Sequence, residues 1–104
     1  MNTQSVDARY VEKSFIFGDS AEIGDFSYLH GDKGEEMILM ILPCDDPKQP
    51  PRGVNISTKP QHPHCWKWDG NVQKPTLTPS LLAIGQNNEQ LWHGYLRAGR
   101  FVSC

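Results

Sequence analysis

Apolar and polar residues alternate over short stretches of this chain, and no stretch holds a helical period for ten residues. Val11 to Phe17 is rich in β-branched and aromatic residues, and an extended strand there places Val11, Phe15 and Phe17 on one side. Phe26, Tyr28 and His30 alternate with Ser27 and Leu29. Met37 to Leu42 is apolar at all six positions, which predicts a central strand covered on both faces and stopped by Pro43. Gly31-Asp32-Lys33-Gly34 is a turn signal, so residues 25–30 and 35–42 are expected to form a hairpin. Val54 to Thr58 alternates and predicts another strand. Trp66 and Trp68 share a face if extended, and Pro75 and Pro79 frame Thr76-Leu77-Thr78. Ser80 to Ile84 is apolar and ends at Gly85; residues 79–84 are also the best helix candidate, at barely more than one turn. A short helix near residues 8–13 is the other. Leu91 to Leu96 and Arg100 to Cys104 form a last hairpin around Ala98-Gly99.

Nine Gly and eight Pro set the breaks between these segments. Residues 44–53 hold Pro47, Pro50 and Pro51 among charges, which suits a surface loop because Pro lacks a backbone donor and fixes φ. Residues 59–65 are irregular for the same reason, with Pro60 and Pro63. The sum is a single domain over residues 1–104. Its class is all-β or strongly β-rich: a small roll or partly open sandwich with long Pro-rich loops.

Composition narrows the classes of function. At 104 residues there is room for one core, and 38% apolar with 21% charged residues fits a globular protein. Mean hydropathy is -0.54, and the longest apolar run is six residues against the ~18–20 of a membrane helix. A net charge of -2 and a pI near 6.0 argue against a nucleic-acid partner. Residues 1–10 are polar with no apolar h-region, so a cytoplasmic location is expected. Cys44, Cys65 and Cys104 are odd in number and widely spaced, which suits reduced thiols or metal ligands rather than disulfides.

The histidines and cysteines form the only metal-like cluster. His62, His64 and Cys65 fall within four positions, and zinc sites draw on closely spaced Cys and His. The last hairpin offers His93 and Cys104, which face each other if the turn has two residues. A three-residue turn sets Trp92 opposite Cys104 instead. Side-chain matching favours the first register, and a type II turn reconciles it with Ala98-Gly99, because only Gly99 then needs positive φ. The plainer alternative is loop histidines, a small buried cysteine and a frayed terminus. A broader binding surface is drawn from Trp66, Trp68, Asp69, Asn71, Trp92, His93 and Tyr95, against the alternative that the tryptophans are core. His93 interrupts a strand between Trp92 and Gly94, where a buried polar group needs a partner.

Catalytic patterns are weaker. His93 with Cys104 or Cys65 can be written as a nucleophilic pair, but a chain end is a poor platform for a nucleophile. Ser80 follows Pro79 and lacks a nucleophile elbow. Asp45 and Asp46 read as a solvated loop, and residues 31–34 are too short for a phosphate loop. No catalytic residue is assigned from these patterns.

Three blocks carry a resemblance: Trp66-Lys67-Trp68-Asp69-Gly70-Asn71, then Lys74-Pro75-Thr76-Leu77-Thr78-Pro79-Ser80, then Trp92-His93-Gly94-Tyr95-Leu96, followed by Gly99 and Cys104. Together, over residues 64–104, they resemble an uncharacterised family of small bacterial, phage and prophage proteins. In some branches of that family, cysteine pairs before the Trp block imply zinc; here no such pair stands upstream and Trp92 precedes the histidine. Other branches sit beside ubiquitin-like conjugation genes, an association that assigns no role to a residue here. The resulting expectation is a non-enzymatic binding protein of phage or prophage type. It would occupy a host or phage protein or a small ligand, or assemble with itself, and need no cofactor. The alternative is a zinc-binding module or small metal-dependent hydrolase centred on His62, His64, His93 and Cys104.

Overall fold

The computed structural model describes residues 5–30, 36–59 and 65–104. The expected turn at 31–34 and the candidate ligands His62 and His64 lie outside them.

Two sheets face each other across one core. The first has four strands in the order β1 (Ser5–Asp7), β10 (Arg100–Ser103), β9 (Gln90–Arg97), β8 (Leu81–Ile84), all antiparallel. The second has six, in the order β2 (Arg9–Tyr10), β3 (Asp25–His30), β4 (Glu36–Met40), β5 (Arg52–Ser57), β6 (Trp66–Trp68), β7 (Leu77–Thr78). The β2–β3 and β5–β6 pairs are parallel, which the connecting segments between them permit. A small β-rich domain is therefore what the chain builds.

Alternation decides which residues meet between the sheets. Phe26, Ile38, Met40, Ile56, Trp68 and Leu77 come from the larger sheet; Leu81, Ala83, Trp92, Leu96 and Phe101 come from the smaller. The opposite face of β4 is also buried: Leu39, with Ile41 just beyond the strand, joins Ile16 and Ala21 in a second cluster. A strand apolar on both faces thus finds cover on both faces.

The cover on that second side is the one-turn helix α1 (Lys13–Ile16), where the sequence suggests a strand over residues 11–17. As a helix, the segment turns Ile16 into the second cluster and leaves Phe15 and Phe17 exposed. Neither helix candidate forms as expected: residues 8–13 hold strand β2 and only the first residue of α1, and within residues 79–84 Leu81–Ile84 is extended, with Leu81 and Ala83 facing the core, Leu82 and Ile84 facing out, and β9 supplying the ladder. Two apolar residues in alternation outweigh a helix too short to nucleate.

The last hairpin takes the two-residue register, with Arg100 opposite Arg97 and Phe101 opposite Leu96. Its turn is not type II. Both Ala98 (φ 46°) and Gly99 (φ 77°) are left-handed, as in a type I′ turn, whose twist matches that of the strands. External bonds hold this unfavoured alanine. Ala98 N–H donates to Thr76 Oγ1 at 2.8 Å, and Gly99 N–H donates to the Pro75 carbonyl at 3.0 Å. The Pro-framed loop therefore docks on the hairpin tip.

Candidate active site

Ser80 precedes β8 and shares its outward face with Leu82, two residues on, by the alternation of a strand. Leu82 lies opposite His93 in the β8–β9 ladder, so His93 also faces outward, one diagonal step from Ser80. The His93 imidazole reaches across: its Nε2 lies 2.9 Å from Ser80 Oγ. With the ring proton on Nδ1, Nε2 accepts the hydrogen bond that the serine hydroxyl donates. This is the relation of a nucleophile to its general base.

Neighbouring groups fix both members. Trp66 in β6 donates its indole N–H to the Ser80 carbonyl at 3.2 Å. His93 is fixed from beneath. Trp92 and Gly94, on either side of it, point into the core, and the Trp92 ring lies over Gly94. A side chain at 94 would collide with that ring and with the Val102 carbonyl, so glycine is required for close approach. The Trp92 indole N–H then donates to Ser103 Oγ at 2.8 Å.

Among the described residues, no carboxylate hydrogen-bonds the second ring nitrogen of His93. Cys104 lies one step beyond the Ser103–Gly94 pair, opposite His93, and its N–H donates to the His93 carbonyl at 2.9 Å. Tyr95, on the same outward face, carries Arg97 over its ring at 4.0 Å.

The remaining residues singled out in the sequence have structural partners. Trp68 is buried and donates its indole N–H to the Asn71 carbonyl. Asp69 Oδ1 accepts from the N–H groups of Asn71 and Thr76, and Asn71 Oδ1 accepts from those of Gln73 and Lys74. These bonds shape the loop that supports the hairpin tip. Cys65 is half-buried; Cys44, a further free thiol, has its ionisation pushed up by burial and by Asp45. Among the described residues, no three His, Cys, Asp or Glu side chains come together as a metal site.

A serine and a histidine paired across an open sheet suit acyl transfer, and the comparisons point the same way. The family model for BubE, the bacterial ubiquitination-like system serine protease, matches residues 17–104. The chain belongs to that family. No curated protein and no solved structure matches it. The match overturns the expectation of a non-enzymatic phage or prophage binding module, since the family is described as a serine protease of a bacterial ubiquitination-like system. It also leaves the metal-hydrolase alternative without support: the family is named for a serine, and His93 engages Ser80. No helix of the described residues is long and apolar enough to cross a membrane.

Ser80 carries no nucleophile elbow, so no motif local in sequence marks it. The usable signal is longer in range: a serine opening one outward-alternating strand and a histidine breaking another. Only the pairing of β8 with β9 joins residues thirteen apart in the chain.

Proposed function

We propose that this chain is a serine peptidase serving a bacterial ubiquitination-like system, with Ser80 as nucleophile and His93 as general base. The observation that carries this reading is the 2.9 Å contact between Ser80 Oγ and His93 Nε2 in a chain of the BubE family. Ser80 Oγ attacks the substrate carbonyl carbon as its proton passes to His93 Nε2. The tetrahedral adduct then collapses, the C–N bond breaks, and the departing amine takes that proton. An ester on Ser80 remains. Water, deprotonated by His93, attacks the ester and releases the acid, and the proton returns to Ser80. Substrates in such a system are proteins, so the partners are macromolecular.

A fluorophosphonate probe tests the pair directly. It should label Ser80 stoichiometrically in the native chain and fail to label Ser80→Ala. His93→Ala should reduce the labelling rate by at least ~10³-fold, in line with the loss of a general base. A native chain that resists the probe, or a His93→Ala variant labelled at the parent rate, would overturn the assignment.

A further inference from the structure

The four-stranded sheet has two borders, and they differ. One is β1, three exposed or half-exposed residues that cover β10. The other is β8, whose only strand partner among the described residues is β9. Its sequence, Leu81-Leu82-Ala83-Ile84, carries no charge and no proline. Border strands that must stay single are usually short, charged or broken, because an unpaired row of N–H and C=O groups invites another strand. Leu82 and Ile84 are 51% and 50% exposed, and Leu91, skipped by the bulge in β9, adds a third apolar side chain. All of this lies beside the serine: Ser80, Leu82 and Ile84 follow one another at the two-residue period of a strand, about 6.6–6.8 Å apart.

We propose that the border of β8, which has no strand partner among the described residues and lies past the Ser80 carbonyl held by the Trp66 indole, receives the substrate as an added antiparallel strand, bringing its scissile carbonyl to Ser80 and apolar side chains onto Leu82 and Ile84. The proposal rests on the peptidase reading and deepens it by naming the substrate class: an extended segment with apolar residues before the cleaved bond. Antiparallel pairing fixes the direction. The substrate residue opposite Ser80 supplies the attacked carbonyl, and the residues two and four positions before it face Leu82 and Ile84. Main-chain hydrogen bonds provide affinity in such a mode, and alternate side chains provide selectivity.

The test uses internally quenched peptides with Ala at the residue supplying the carbonyl. Positions two and four residues before it carry both Leu, both Ser or both Lys. A parallel fluorophosphonate reaction on the native chain reads the Ser80–His93 pair without any peptide. The native chain should cleave the Leu peptide with a kcat/KM at least ~10-fold above the Ser peptide, since even one methylene in an apolar pocket gives about 10–200-fold. Leu82→Glu should reverse the order, with the Lys peptide cleaved faster than the Leu peptide. N-methylation of the backbone amide of the residue opposite Leu82, two positions before the residue that supplies the carbonyl, should reduce kcat/KM at least tenfold. If the probe labels Ser80 but the Leu and Ser peptides are cleaved equally, or not at all, this proposal falls and the peptidase reading stands. If the probe fails as well, both fall. Sedimentation at rising concentration completes the test. A dimer that Leu82→Glu dissociates, with a flat peptide ratio, assigns the border to a second copy of the chain and overturns the proposal.

Discussion

The indole N–H of Trp66 donates to the carbonyl of Ser80 at 3.2 Å, tying the six-stranded sheet to the start of β8 in the other sheet. On the peptidase reading Trp66 touches no reacting atom and acts by positioning Ser80. Trp66→Phe keeps an aromatic ring and removes the donor. We expect kcat on a peptide substrate to fall about tenfold with KM within about twofold. The stability cost should stay near 1 kcal/mol, the net contribution of one hydrogen bond. Steady-state kinetics beside thermal melting separates the two roles: a lowered melting temperature with unchanged kcat would make the bond purely structural.

Arg9 holds Asp25 in a two-pronged ion pair, Nε to Oδ1 at 2.8 Å and Nη2 to Oδ2 at 2.9 Å. Asp25 is 1% exposed, and the Glu22 N–H also donates to its Oδ2. The same bonds raise the Arg9 pKa above its ordinary value. Arg9→Ala strands a buried carboxylate. The expected loss is roughly 2–3 kcal/mol, below the ~3–5 of a wholly buried pair because Arg9 is half exposed. Urea unfolding at neutral pH measures it.

The Tyr28 ring lies tilted at 5.4 Å from Trp68 and edge-on at 5.8 Å from Phe26, and its hydroxyl donates to the Val72 carbonyl at 2.9 Å. Burial, followed by the nearby Asp69 carboxylate, pushes its ionisation well above the ordinary tyrosine value. The folded chain therefore holds this proton more tightly than the unfolded chain does. That stabilisation is complete below about pH 10, the unfolded value, and fades as pH rises through the folded one. Between pH 8 and pH 11 the native chain should lose stability more steeply than Tyr28→Phe. Urea midpoints at the two pH values decide it; parallel slopes would contradict the assignment.

Gly94 is the floor on which the Trp92 ring rests. Gly94→Ala forces that ring or the Val102 carbonyl to move, an overpacking cost of about 1–3 kcal/mol. Because His93 lies between these residues, the variant should also slow fluorophosphonate labelling of Ser80. Melting temperature and labelling rate should fall together. If both stay at parent values, the strand tolerates the added methyl.

Local pattern carries most of the sheet structure. The β3–β4 pairing is legible in Phe26 to His30 and Met37 to Leu42, and the last hairpin's register in the match of Leu96 with Phe101. Tertiary contact hides the rest. Residues 13–16 coil because a second core needs Ile16, and nothing local announces that core. Ala98 accepts positive φ because Thr76, twenty-two residues away, bonds its N–H. Ser80 and His93 read singly as a loop serine and a strand histidine; only the ladder makes them a pair.

His93 and Ser80 stand on backbone of unequal freedom. His93 belongs to an interior strand, paired with β8 on one side and β10 on the other, and its sequence neighbours are sealed in the core. Freeing its backbone breaks the ladders on both sides. Ser80 precedes a border strand, and the Trp66 indole holds its carbonyl from outside that strand's ladder. Opening there breaks one ladder rather than two, together with the Trp66 bond and the burial of Leu81 and Ala83. Of the two residues, His93 therefore stands on the more fully paired backbone, and a shift of Ser80 relative to it takes apart a single ladder.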